Sequence, residues 1–144
     1  MPSGIGRYNS NVDAERLADV ARQRGIKLLL QFGSSVTGRL HPRSDVDLGV
    51  LLDRAPSSLA DHADLIADLQ ALVPDREVDV AIINHADPLF LKKITEGANL
   101  LYGSPRALHE LKMYAFKRYQ DHRRYLALER EYVDRRIRAL VPQR

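Results

Sequence analysis

Three aspartates and one Gly-Ser pair are the residues in this sequence whose types and spacing can do chemistry. Gly33-Ser34 is followed, after ten further residues, by Asp45-Val46-Asp47, and Asp79 lies between Val78 and Val80. In an extended strand, residues i and i+2 face the same way, about 6–7 Å apart at Cα. Asp45 and Asp47 therefore present their carboxylates to one side. Two carboxylates ~5 Å apart repel by about 3 kcal/mol at an effective dielectric of 20, so a cation must offset them. Magnesium suits the task, because it takes a few carboxylates together with phosphate oxygens and water. Asp79 is flanked by core-type valines, where a carboxylate costs desolvation unless it is used or paired. Gly33 allows close backbone approach, and N–H groups at a turn of this kind hold an anion such as phosphate. Three acids from two strands beside such a turn make a two-metal nucleotidyl-transfer site. The bland alternative makes Asp45 and Asp47 a solvent-facing strand edge paired with Arg39 and Arg43. Glu77 shares the face of Asp79 and is a lesser candidate.

The elements that must position these residues are legible from periodicity. Ser10 or Asn11 caps a helix running to Arg24, with Ala14, Leu17, Ala18 and Ala21 on one face and Gly25 at its C-terminal stop. Residues 26–32 (IKLLLQF) form an apolar strand covered on both faces. Residues 35–40 are expected to form one helical turn, and the loop at 41–43 contains Pro42. Residues 44–52 (SDVDLGVLL) form the second strand. Val46, Leu48, Val50 and Leu52 lie on one face; Asp45, Asp47, Gly49 and Leu51 lie on the other. Ser57 or Ser58 caps a helix to about residue 73, with Leu59, Ala63, Ile66, Leu69 and Val73 as its expected buried stripe. Residues 77–83 (EVDVAII) are the third strand, Asp87-Pro88 starts a short helix, and residues 99–102 are a fourth, edge strand.

Ser104-Pro105 opens the last helical segment. Its stripe runs from Leu108, Leu111 and Ala115 through Tyr119, His122, Leu126 and Glu129 to Val133, Ile137 and Leu140. A single helix over residues 105–140 would be ~54 Å long, against ~40 Å for the whole globule. The segment is therefore expected either to break near Asp121 or to protrude and meet a partner. Tyr114, Tyr119, Tyr125 and Tyr132 interleave with its arginines. Residues 106–144 carry eleven Lys or Arg against five Asp or Glu, so a basic tail follows a body that is net acidic. The whole chain is only +3. That mild value does not by itself imply nucleic acid, and binding there by the tail is a weaker reading whose mark would be strong salt dependence.

The 144 residues suit one domain with an ordinary core. We divide it at residue 103 into a catalytic core, 1–103, and a C-terminal helical segment, 104–144, packed on the core or on a partner. The absence of cysteine excludes disulfides, thiol catalysis and thiolate metal sites. No apolar run approaches the ~20 residues of a membrane helix, and the first ten residues have no signal-type apolar core. Cytoplasmic location is the expectation. His41, His62, His85, His109 and His122 lack close metal-ligand spacing, which argues against zinc.

With these residues in view, the chain resembles the nucleotidyltransferase superfamily typified by DNA polymerase β, whose signature is GS-x10-DxD. Gly33-Ser34, Asp45 and Asp47 match that signature without a gap, and Asp79 matches the usual third carboxylate. Small size, the SDVDLGVLL strand and the Tyr/Arg-rich end resemble the minimal nucleotidyltransferase (MNT) branch. The resemblance implies an α/β fold, a mixed β-sheet flanked by helices with a long C-terminal helical segment. It implies ATP as donor and two Mg2+ ions held by Asp45, Asp47 and Asp79, which are also the catalytic residues. Gly33, Ser34 and Ser44 would bind the nucleotide. Arg39 and Arg43 read first as ordinary surface charge, with neutralisation of the leaving pyrophosphate as the alternative role. Asp79 would activate the acceptor hydroxyl. Many MNT proteins are antitoxins paired with a HEPN-domain RNase toxin, and some transfer AMP to a toxin tyrosine. The resemblance therefore implies such an antitoxin in a hetero-oligomer with its toxin. The alternatives are a small-molecule nucleotidyltransferase of the aminoglycoside type, and an antitoxin that masks its toxin without catalysis.

Overall fold

The computed structural model describes residues 14–33 and 45–141. Its elements are α1 (Ala14–Arg24), β1 (Ile26–Phe32), β2 (Val46–Leu52), α2 (Leu59–Leu72), β3 (Val78–Ile82), α3 (Pro88–Thr95), β4 (Asn99–Tyr102) and α4 (Pro105–Leu140), with a 3-10 turn at Ile83–His85. The expected cap at Ser10 or Asn11 and the helical turn at 35–40 lie outside the described residues. Gly25, at φ 64°, ends α1.

The strands form one mixed sheet in the order β3-β2-β1-β4. β1 pairs antiparallel with β2 and with β4. β2 and β3 are parallel, and α2 makes the crossover between them that parallel neighbours require. β1 is thus central and apolar on both faces, and β4 is an edge strand.

The alternation along β2 sorts the core into two layers. Val46, Leu48, Val50 and Leu52 face Leu17 and Ala21 of α1 and Leu65, Leu69 and Leu72 of α2. Leu28, Leu30 and Ile83 on the opposite side meet Leu91 and Ile94 of α3 and Leu111 and Ala115 of α4. One fully buried Leu contributes roughly 1.5–3 kcal/mol, so each layer is held mainly by such burial. Arg24 Nε bonds Asp68 Oδ2 at 2.6 Å and ties α1 to α2. Asn84 clamps the end of β2: its Nδ2 donates to the Leu52 carbonyl at 2.8 Å, and its Oδ1 accepts from the Leu52 N–H at 2.9 Å.

The helix starts follow their caps. The Ser58, Asp87 and Ser104 side chains each accept from a backbone N–H three residues on, that of Asp61, Phe90 and Ala107 respectively. The buried stripe of α2 differs from the expected one. Leu69 and Val73 are buried as expected and Ile66 is half-buried, but Leu65 and Leu72 join the core while Leu59 is 85% exposed and Ala63 is exposed too. The helix LADHADLIADLQAL has apolar residues around most of its circumference, so two stripes compete. The Arg24–Asp68 pair and the sheet select the one that faces β2 and β3.

α4 is continuous over 36 residues and does not break near Asp121. No Gly or Pro interrupts residues 106–140, and pairs such as Glu131–Arg135 at i,i+4 add local support. Its first half packs on α3 through Leu111 and Ala115. From Arg123 onward every residue to Val141 is exposed. No described helix is long and apolar enough to cross a membrane.

Candidate active site

Three adjacent strands bring the site together in register. Phe32 of β1 is opposite Asp47 of β2, and Asp47 is opposite Asp79 of β3. Neighbouring strands lie about 4.8 Å apart, so the carboxylates of Asp47 and Asp79 stand side by side. They do so on the α3 side of the sheet, because Asp47 shares parity with Leu51, which packs in that layer. α3 covers the sheet next to them. Between lies a cleft of about 540 Å³, lined on one wall by Phe32, Gly33, Asp47 and Asp79 and on the other by Phe90, Lys93 and Glu96.

Gly33 is required where it stands. Its φ is +78°, and a Cβ there would lie 2.3 Å from Asp47 Oδ2. The backbone at the end of β1 therefore lies directly against the carboxylate. Only glycine tolerates so close an approach at this φ.

Asp47 is half-buried, and its carboxyl is pushed above the ordinary carboxylate range. Burial is the main cause, followed by repulsion from Asp79 and then from Asp45; the Lys93 ammonium acts in the opposite direction. The fold thus holds a carboxylate where its charge is unfavourable and a nearby positive ligand would relieve it. Asp45, at the entry to β2, is exposed and acts on Asp47 through its charge.

These carboxylates fit magnesium in donor chemistry, since all are hard oxygen ligands. Among the described residues no three acidic or histidine side chains converge into a ready-made metal cage. Magnesium rarely uses such a cage, and one or two carboxylates completed by substrate phosphates meet its needs.

The structure brings together Gly33, Asp47 and Asp79, with Asp45 two residues up the strand. Glu77 is exposed and outside the cleft lining; its carbonyl accepts from the Val46 N–H at 2.9 Å. Ser34, Ser44, Arg39, Arg43 and His41 lie outside the described residues. The sequence reading missed the α3 wall altogether. Phe90 meets Phe32 edge to face, with centroids 6.2 Å apart. Lys93 is one of two lysines in the last turn of α3, where cations are common, so nothing in the sequence singled it out.

A mixed sheet with paired strand-end carboxylates beside a tight glycine turn defines a protein of the phosphoryl- and nucleotidyl-transfer class. The family model "Polymerase beta, Nucleotidyltransferase" matches residues 15–107, and the chain belongs to that family. Among solved structures, a toxin–antitoxin complex with AMP-PNP aligns at TM-score 0.66 and 20% identity, covering 88% of this chain and 98% of the other. A tri-AMPylated Shewanella oneidensis HEPN toxin in complex with its MNT antitoxin aligns at TM-score 0.59 and 17% identity, covering 86% and 94%. The MntA–HepT toxin–antitoxin aligns at TM-score 0.59 and 17% identity, covering 86% and 95%. At these identities the likeness is one of fold. No curated protein sequence matches the chain.

Proposed function

We propose that this chain is a magnesium-dependent nucleotidyltransferase that transfers AMP from ATP to a tyrosine hydroxyl of a HEPN-domain RNase toxin, and so acts as its antitoxin. The observation that carries the reading is the register of Asp47 with Asp79 on one wall of the cleft, with the Gly33 backbone directly against Asp47. The family match supports the reaction class. The fold likeness to antitoxin complexes, one of them with an AMPylated toxin, supports the acceptor. The exposed half of α4 favours a protein acceptor over a small molecule, because it adds contact area that a small acceptor does not need.

Asp45, Asp47 and Asp79 would hold the two magnesium ions. When bound, magnesium would neutralise charge on the phosphates and on the attacking and leaving oxygens. The chain's own groups do the rest. The backbone at Gly33, with Ser34 and Ser44, binds the phosphates. Asp79, exposed at the cleft, accepts the proton of the acceptor hydroxyl. The phenolic oxygen forms a bond to the α-phosphorus as the bond from that phosphorus to the oxygen bridging to the β-phosphorus breaks. Pyrophosphate leaves, and the product is a tyrosyl-AMP ester. Holding donor and acceptor in line supplies most of the acceleration, since phosphoryl chemistry asks for position and charge.

Intact mass spectrometry of the co-expressed toxin tests this, comparing the wild-type chain with an Asp45→Ala/Asp47→Ala double variant. AMP increments on the toxin with the wild type, absent with the double variant, are expected. Increments that persist in the double variant remove the assignment of the acids. A toxin bound and silenced but never modified replaces catalysis with masking.

A further inference from the structure

The cleft has a cation on its far wall that the reading above does not use. Lys92 and Lys93 are adjacent on α3 but have different surroundings. Lys92 is committed: its Nζ pairs with Glu96 and sits 4.7 Å from the centre of the Tyr119 ring. Lys93 makes no ion pair or hydrogen bond among the described residues, although it is exposed on the wall opposite Asp47 and Asp79. Its charge still reaches Asp47. Lys93 also lines a second cavity of about 450 Å³, which shares Phe90 and Glu96 with the first.

A lysine placed only to balance the acids would close onto them as a salt bridge. Lys93 instead faces them across open space. That leaves two carboxylates on one wall, one ammonium on the other, and a gap between. A polyanion that arrives with divalent cations fills such a gap: its metals face the carboxylates, and its outward oxygens face the ammonium. An ammonium on a flexible stem is a point-charge phosphate ligand of this kind.

We infer that Lys93 is a nucleotide-binding residue that contacts the β- or γ-phosphate of the donor from the α3 side of the cleft. This rests on the proposed nucleotidyltransferase reading. Lys93 thereby adds a charge contact opposite the Gly33 turn, and the pyrophosphate that it holds is the leaving group. Substitution of Lys93 should raise the KM for ATP and should also lower kcat.

The test is calorimetric binding of Mg·AMP-PNP and of AMP to the full chain, with Lys93→Ala and Lys93→Arg alongside the wild type. Because Lys93 is exposed on a helix, Lys93→Ala should melt within a degree or two of wild type. Lys93→Ala should weaken AMP-PNP at least tenfold and leave AMP within about twofold, and Lys93→Arg should restore most of the loss. Equal affinity of wild type and Lys93→Ala for AMP-PNP overturns the inference while leaving the proposed function standing. An equal loss for AMP and AMP-PNP overturns it as well, by moving Lys93 off the terminal phosphates. No AMP-PNP binding by the wild type overturns both the inference and the proposed function.

Discussion

The strand ends around Asp47 and the distal half of α4 obey opposite rules. At the strand ends every group is fixed by its neighbours: Val46, Leu48 and Val50 are buried on one side, and Gly33 presses on Asp47 on the other. Along residues 123–141 every side chain is exposed, and among the described residues nothing covers the helix. Its apolar stripe nonetheless continues in phase with the packed one. Leu126, Val133, Ile137 and Leu140 follow Leu111 and Ala115 on the same face. The first region is set by packing and pays for function with like-charge repulsion. The second is set by helix propensity and leaves a face uncovered. Substitutions should therefore separate fold from function in opposite senses in the two regions.

The largest effect is expected at Asp47. Asp47→Asn keeps the shape and removes the charge. AMP transfer should fall by about a thousandfold or more, roughly 4 kcal/mol of transition-state stabilisation. Stability should move the other way. The folded Asp47 carboxyl is raised above its ordinary value by burial and by Asp79 and Asp45. Between that ordinary value and the raised one, the folded chain binds more protons than the unfolded chain. Stability is then lost as pH rises from about 4 through the raised value, and the loss persists above it. Denaturant titrations from pH 3.5 to 8 should show Asp47→Asn gaining on wild type as pH rises. A variant that loses ground with rising pH would mean that Asp47 is stabilised as a charge, and would break the contrast drawn above.

Gly33 comes next. Gly33→Ala puts a Cβ 2.3 Å from Asp47 Oδ2 at a φ of +78°. The left-handed conformation alone costs a non-glycine residue roughly 1–2 kcal/mol. Relief of the clash must displace the carboxylate. The melting temperature should fall by several degrees, and transfer should fall more than tenfold. Near-wild-type transfer by Gly33→Ala would show that Asp47 has room to move and still react.

The contrast also explains what the sequence disclosed. The alternation of SDVDLGVLL carried the strand, its buried face and the acidic face together, because a period of two leaves no freedom once one face is apolar. Ser58, Asp87 and Ser104 announced three helix starts, because a cap needs a side-chain acceptor. The stripe of α2 was legible only in part: Leu69 and Val73 are buried as expected, but LADHADLIADLQAL offers apolar residues on competing faces, and only docking chooses Leu65 and Leu72 over Leu59 and Ala63. Lys93 was not legible at all. Nothing in a Lys-Lys pair says which lysine will be taken by Glu96 and Tyr119 and which will face the cleft. Gln31 shows the same limit inside the sheet: it is 1% exposed, and among the described residues neither side-chain amide atom finds a partner, a cost that IKLLLQF gives no reason to expect. The continuity of α4 was readable, by contrast, in the lack of any Gly or Pro from 106 to 140. Comparing helix length with globule size left two outcomes, a break near Asp121 or a protruding helix, and the continuous α4 with its exposed distal half takes the second.

The smallest effect on the fold is expected at the end of α4, and there it is the most telling. Val133 and Ile137 are 44% and 53% exposed and lie one turn apart on the uncovered stripe. Glu is a better helix former than either β-branched residue, and no buried contact is lost. Val133→Glu/Ile137→Glu should therefore change the stability of the isolated chain by no more than about 0.5 kcal/mol. Transfer to a partner should respond differently from transfer chemistry itself. If the stripe seats the toxin, the double variant should bind AMP-PNP as wild type does yet capture and modify the co-expressed toxin poorly, since two charges would be buried at an interface. A variant that melts markedly lower would instead show that the stripe is already covered within the chain. A stable variant that still modifies the toxin fully would move the docking surface to the packed half of the molecule, near α3 and the cleft, and the distal helix would then need a different occupant.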